Sequence, residues 1–188
     1  MNAQTYLADK SRTWGLFDKK VSQHYDTLSD VISFGLYRGW RKALTRELPA
    51  ASDLKILDLA TGTGAIPLSI LDNCGEKVSR IVGVDLSREM MAVFESRLQG
   101  HPQAHKVSTE YGDATALTQS EGQFDVVTMG CGIRNVGDHQ KCGQEILRML
   151  KPGGRVIFLE PAMPDSPVLR KIYLGYFRTL VPLVASFV

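Results

Sequence analysis

Lys55-Ile56-Leu57-Asp58-Leu59-Ala60-Thr61-Gly62-Thr63-Gly64 is the stretch on which the fold turns. Its apolar half reads as a buried β-strand and its glycine half as a tight turn, with residues 65–73 as the helix that follows. Two glycines two places apart let the backbone come against a ligand with no Cβ in the way. Such a turn suits a nucleotide-like ligand. A strand, glycine turn and helix also open the dinucleotide fingerprint G-x-G-x-x-G, but its third glycine place is held by Pro67. Proline is tolerated in the first helical turn, yet its ring cannot replace the glycine that allows close packing of helix on strand. That weakens a nicotinamide or flavin reading. Asp58, ahead of the turn, suits a cationic ligand better than a pyrophosphate, and S-adenosylmethionine, with its sulfonium and amino group, is such a ligand.

Outward from this stretch the chain alternates strands and helices. Residues 80–86 read as a second buried strand ending at Asp85, and Ser87 as the N-cap of a helix over 88–98 with Met90, Met91, Phe94 and Leu98 as its apolar stripe. Residues 106–111 form a third strand running into Gly112-Asp113-Ala114, and 124–129 a fourth entering Gly130-Cys131-Gly132-Ile133-Arg134-Asn135-Val136. A helix near 138–150 stops at Lys151-Pro152-Gly153-Gly154, a turn before strand five at 155–160. This order predicts an α/β fold with a doubly wound, Rossmann-like parallel sheet. Ligands of such sheets sit beyond the carboxyl ends of the strands, so Thr61 to Gly64, Asp85, Asp113, Gly130 to Asn135 and Glu160 should share one rim.

Two divisions are expected: an N-terminal helical cap over 1–50 and a ligand-binding core over 51–188. Residues 1–29 are polar with scattered aromatics, Trp14, Phe17 and Tyr25, and read as a loosely helical arm. From Asp30 a helix is predicted with Ile32, Leu36, Trp40, Ala43, Leu44 and Leu48 on one face. It either covers the sheet or closes over the ligand, with Phe17, Tyr25 and Trp40 walling a pocket.

Among the rim residues, Asp85 stands about twenty residues past the glycine turn, where an acid can accept both ribose hydroxyls of either NAD or S-adenosylmethionine. Asp113 is placed to take an adenine amino group, with the Ala114 N–H as donor to a ring nitrogen, or to serve only as a turn aspartate. Arg134 can orient an oxygen-bearing substrate or close a salt bridge within the rim. Cys131 has no base partner in the sequence and reads as a small buried residue. His24, His101, His105 and His139 are isolated.

Composition narrows the class. A chain of 188 residues that is 44% hydrophobic and 22% charged suits one soluble domain. A net charge of +2 with no long run of like charge gives no argument for nucleic acid. Cys74, Cys131 and Cys142 include no C-x-x-C pair and no histidine at zinc-ligand spacing, which points to a reducing cytoplasm and to no metal site. The N-terminus lacks a signal-peptide core, and no stretch reaches the roughly 18 apolar residues of a membrane span.

The combination of Leu16-Phe17-Asp18, His24-Tyr25-Asp26, Trp40-Arg41, Asp58 to Gly64, Gly83-Val84-Asp85-Leu86-Ser87, Gly132-Ile133-Arg134-Asn135-Val136 and Leu150 to Gly154 closely resembles the ubiquinone/menaquinone biosynthesis C-methyltransferase family. The resemblance implies a class I methyltransferase that moves a methyl group from S-adenosylmethionine to a ring carbon of a polyprenylated quinol precursor. It implies cofactor contacts at Thr63, Asp85, Asp113 and Ala114, added to the Asp58, Thr61, Gly62 and Gly64 of the turn itself. It gives Arg134 the activation of the substrate hydroxyl and Tyr25 a part in closing the site. At Gly130 the family often has serine, so a side-chain contact is lost there.

Class I methyltransferases continue past strand five into an antiparallel strand pair, whereas this sequence reaches Val188 after one more helix from Ser166-Pro167 and an uncharged tail, Thr179 to Val188. The resemblance therefore predicts a C-terminally truncated form with five strands. Strand five would be an open edge unless a second copy or another partner covers it. The tail is expected to pack beneath the missing strands, or to give a cytoplasmic protein peripheral contact with a membrane or polyprenyl tail. A methyltransferase of another small molecule and a non-catalytic assembly subunit that keeps the cofactor pocket stand as alternatives.

Overall fold

The structure, a computed structural model, describes residues 19–185. Trp14, Phe17, the Leu16-Phe17-Asp18 motif, the side chain of His24 and the tail's side chains from Leu180 onward lie outside the described residues. Two cap helices come first, α1 (Lys19–Ile32) and α2 (Leu36–Arg46). Then follow β1 (Leu54–Leu59), α3 (Ala65–Cys74), β2 (Val78–Asp85), α4 (Arg88–Leu98), β3 (Val107–Tyr111), β4 (Phe124–Gly130), α5 (His139–Met149), β5 (Leu150–Leu159) and α6 (Pro167–Ala185).

The sheet runs β3-β2-β1-β4-β5 with every pairing parallel, so β1 lies at its centre and the order reverses between β1 and β4. The alternation of strand side chains divides the core between two faces. Leu54 and Ile56 of β1 pack with Leu44, Ile66, Ile70 and Phe94 beneath α2, α3 and α4. Leu57 and Leu59 pack with Val127, Met129, Ile146 and Met149 beneath α5. Burying both faces accounts for the near-continuous apolar runs of β1 and β2.

Local chemistry fixes the connections. The Ser87 Oγ accepts the Met90 N–H at 3.2 Å, and the Asp138 Oδ1 accepts that of Lys141 at 2.9 Å, so α4 and α5 both start on side-chain caps. Pro67 is the third residue of α3, inside the first turn, where no intrahelical N–H is lost. Residues 151–154 bulge out of the ladder between Leu150, which pairs with Phe124, and Arg155, which pairs with Val126. The Asp125 carboxylate holds this turn, accepting from Lys151 Nζ at 2.7 Å and from the Lys55 N–H at 2.9 Å.

One expectation fails. The cap is not one helix from Asp30: the chain breaks at Phe34 and Gly35, with φ of +55° and +75°, and the Ser33 Oγ accepts the Tyr37 N–H to start α2. Helix α2 buries Leu44, as the predicted stripe requires, together with Tyr37, which the stripe did not include, while Leu36 and Trp40 face outward. The expected packing of the tail from Thr179 falls largely outside the described residues. Helix α6 anchors on the cap, where the Tyr176 hydroxyl donates to the Val31 carbonyl and the Tyr176 ring stacks on Phe34 with centroids 3.6 Å apart. β5 stands at the end of the sheet with Phe158 half exposed. Among the described residues, no helix is long and apolar enough to cross a membrane.

Candidate functional site

At the carboxyl ends of β1, β2 and β4 lies a cleft of about 600 Å³, its mouth included. The glycine turn forms its floor, with Asp58, Thr61, Gly62, Thr63 and Asp85 on one side, Gly130, Cys131 and Asn135 on another, and Tyr25 and Tyr37 of the cap above. Beside it is a second space of about 350 Å³, its mouth likewise included, lined by Gly112, Asp113, Ala114 and Val136 among others. The two share Ala60, Asp85, Gly132 and Asn135, so they form one trough leading from the cap to the end of β3.

The turn needs its glycines. Gly64 has φ of +75°, and a Cβ there would lie 1.8 Å from Phe94 Cδ2, inside the ring that packs under the turn. Ala60, the last residue before the turn, also takes a positive φ, of +51°, although it carries a side chain. Asp85 braces the arrangement: Oδ2 accepts the Gly62 N–H at 2.7 Å and Oδ1 the Ser87 N–H at 2.8 Å. A carboxylate oxygen can accept more than once, so both atoms keep capacity toward the trough. Burial raises the Asp85 pKa, and the backbone donors at Ser87 and Gly62 oppose the rise.

Asp58 is almost fully buried and accepts the Thr128 hydroxyl at 2.6 Å. Burial pushes its pKa up to about 7, against the hydroxyls of Thr128 and Thr61 and with a smaller upward push from Asp85. The Thr61 Oγ is buried and lacks a well-formed hydrogen bond, although it lies near enough to Asp58 to favour the charged form. A buried carboxyl with a spare hydroxyl beside it is a site prepared for a donor of positive charge. The chemistry present therefore fits the cationic ligand that the turn suggested.

Thr63 is buried and donates its hydroxyl to the Asp26 Oδ1 of α1 at 2.7 Å. Asp113 is engaged as a turn aspartate, its Oδ1 accepting both the N–H and the hydroxyl of Thr115, yet it lines the second space together with Ala114. Gly130 lines the cleft, and a Cβ on it would lie 2.2 Å from Ile66 Cδ1. The space of a serine side chain is thus taken by Ile66, whose flexible end would have to move to admit one.

Arg134 lies in a 3-10 turn, Ile133–Asn135, half exposed and 3.6 Å from the Glu160 Oε2, while the Glu160 Oε1 accepts the Ile133 N–H at 3.0 Å. Its neighbour Asn135, not Arg134, is in the cleft lining, although the Arg134 charge reaches Tyr25 and Cys131. Burial, with Cys131 second, raises the Tyr25 pKa, and Arg134 opposes it. Tyr37 is pushed up likewise, chiefly by burial, so both phenols stay protonated at neutral pH. Burial also raises the Cys131 thiol pKa, which disfavours a nucleophilic thiolate.

Trp40 does not wall the cleft: it is 37% exposed on the outer face of α2, and Tyr37 holds the place assigned to it. Sequence reasoning also passed over Asp26, Arg97 and Met90. Asp26 stood inside the His24-Tyr25-Asp26 motif, and Tyr37 lies two helical turns before Leu44, on the same face.

The model of the ubiE/COQ5 methyltransferase family matches residues 6–188. The chain is 33% identical over 168 residues to a demethylmenaquinone methyltransferase of Shouchella clausii, covering 89% of this chain and 71% of that one. It is 37% identical over 166 residues to a ubiquinone/menaquinone biosynthesis C-methyltransferase of Geobacter sulfurreducens, covering 88% of this chain and 64% of that one. Among solved structures, the phosphoethanolamine N-methyltransferase 1 of Haemonchus contortus, in complex with phosphoethanolamine and S-adenosylhomocysteine, superposes with a TM-score of 0.68 at 18% identity, over 89% of this chain and 34% of that one. At that identity the likeness concerns the fold.

Proposed function

Because the chain belongs to the ubiE/COQ5 methyltransferase family, we propose that it transfers a methyl group from S-adenosylmethionine to a ring carbon of a polyprenylated quinol precursor. The observation that carries the cofactor half is the trough itself. It offers a buried acid, Asp58, with the spare Thr61 hydroxyl at one end, Asp85 in the middle, and Asp113 with Ala114 at the other end. Asp58 and the turn would receive the cationic amino-acid arm, Asp85 the ribose hydroxyls, and Asp113 with the Ala114 N–H the adenine. The cofactor supplies an electrophilic methyl group on a positive sulfur.

In the acceptor, loss of the ring hydroxyl proton moves electron density onto the neighbouring carbon. That carbon would form the new bond to the methyl group as the sulfur–methyl bond breaks, its electron pair remaining on the sulfur of the departing S-adenosylhomocysteine, and the ring would then give up the proton at that carbon to solvent. Arg134, held by Glu160, is the cation that favours the ring oxyanion. Tyr25 and Tyr37 cover the cleft and exclude water, so that positioning and desolvation supply most of the acceleration.

We place peripheral contact with lipid on the cap, where Phe34, Leu36 and Trp40 are exposed beside Arg38 and Lys42. The open side of β5 is the surface for a second copy or another partner. Incubation with methyl-labelled S-adenosylmethionine and, in turn, a prenylated naphthoquinol, a prenylated benzoquinol and an amine acceptor tests the reading. Label on a quinol ring carbon is the expected result; label on the amine alone would replace the substrate class.

A further inference from the structure

Asp26 is the one carboxylate of α1 that reaches the glycine turn among the described hydrogen bonds, and it does so inside a closed set of contacts. The Thr63 hydroxyl donates to its Oδ1 at 2.7 Å, the Arg97 guanidinium of α4 donates to its Oδ2 at 2.5 Å, and the same Arg97 nitrogen donates to the Thr63 carbonyl at 2.9 Å. Cap helix, turn and core helix are thereby joined at one residue of the cleft. The preceding residue, Tyr25, forms part of the cleft's cap wall, beside Tyr37.

A hydroxyl has one proton to give. With that proton committed to Asp26, the Thr63 oxygen presents only lone pairs elsewhere, so it can accept from a donor in the cleft but cannot donate to an acceptor. Thr63 lines the part of the trough next to Asp58 and is absent from the lining of the part beside Asp113 and Ala114. An oxygen restricted to accepting, next to a buried acid, matches an ammonium group and opposes a carboxylate.

Resting on the cofactor reading above, we propose that Asp26, clamped by Arg97, is a positioning residue that sets Thr63 as an acceptor for the ammonium of the cofactor's amino-acid arm while docking Tyr25 over the cleft. The nucleoside end of the site does not depend on it. This gives a signature that general loosening of the fold does not produce.

Two ligands separate the cases: S-adenosylhomocysteine, which has the amino-acid arm, and 5′-methylthioadenosine, the same thionucleoside without it. Calorimetric titration of the 188-residue chain with each is repeated for Asp26→Ala, Asp26→Asn and Arg97→Gln, with circular dichroism as the check on folding. Expected are a roughly tenfold loss of S-adenosylhomocysteine affinity in Asp26→Ala, 5′-methylthioadenosine affinity within about twofold of the parent, and substantial recovery in Asp26→Asn, which keeps an acceptor for Thr63. Arg97→Gln, altering only a partly exposed side chain, should weaken the first ligand selectively and by less. Equal losses for both ligands, or none, would overturn the positioning role of Asp26 and leave the cofactor reading standing. Failure of the folded parent chain to bind either ligand would overturn both.

Discussion

Asp58 carries the sharpest consequence at the scale of single residues. Its carboxyl is lifted by burial from an ordinary 3.8 to about 7, so between those values the folded chain holds a proton that the unfolded chain releases. Stability from this group is therefore greatest at low pH and falls as pH rises through that window, by up to about 4 kcal/mol before relaxation, and is level above pH 7. Asp58→Asn should flatten the dependence, raising the melting temperature of the ligand-free protein at pH 8 by several degrees relative to the parent while leaving it little changed near pH 5; unchanged melting at pH 8 would show that the site is not strained by its charge. Cofactor affinity should run the other way, weakening as pH drops below about 7, since the cationic arm needs the carboxylate. Titration calorimetry at pH 6 and pH 8 reads this directly, and equal affinities would detach Asp58 from the ligand. Gly64→Ala sets a φ of +75° against a side chain and drives a Cβ into Phe94. A loss of about 3 kcal/mol is expected from strain and overpacking together, seen in chemical denaturation.

At the scale of elements, the strands and their rim were legible in the sequence because their signals are local. β2 ends at Asp85 as its apolar run does, Ser87 caps α4, and the Lys-Pro-Gly-Gly turn leaves the ladder where read. The cap was not legible in the same way. The break at Phe34 and Gly35 depends on two positive φ values, only one of them at a glycine, and the buried face of α2 centres on Tyr37 and Leu44, which leaves Trp40 outside it. Tyr37 and Trp40 should therefore behave oppositely. Trp40→Ala should change stability by less than about 1 kcal/mol and leave cofactor binding alone, whereas Tyr37→Ala should lower stability by about 3 kcal/mol and open the cleft. A larger effect at Trp40 than at Tyr37 in denaturant melts and titrations would put Trp40, not Tyr37, against the cleft. The Asp26, Thr63 and Arg97 contacts join residues that are far apart in the chain, and no spacing rule announces such a triangle.

For the whole molecule, the cleft is lined by the helices before β1 as well as by the sheet and its turns. The core supplies the acids and the glycine turn, and the cap supplies Tyr25, Tyr37 and Asp26, with α6 holding the cap from behind through Tyr176 and Phe34. Among the described residues the sheet ends at β5 with Phe158 half exposed, and an edge of this kind favours self-association with rising concentration. Phe158→Lys should reduce that in light scattering without altering cofactor affinity; a monomer at every concentration would remove the edge from consideration. The family match, the fold and the acidic trough meet in one claim, that this chain holds S-adenosylmethionine along the ends of β1, β2 and β3. Calorimetric titration with S-adenosylmethionine, S-adenosylhomocysteine and NADH, on the parent and on Asp85→Ala, tests it most directly. Saturable binding of both sulfur ligands, absent for NADH and lost in a folded Asp85→Ala, is the expected result. Binding of NADH in their place, or binding of the sulfur ligands undisturbed by the Asp85 change, would contradict it.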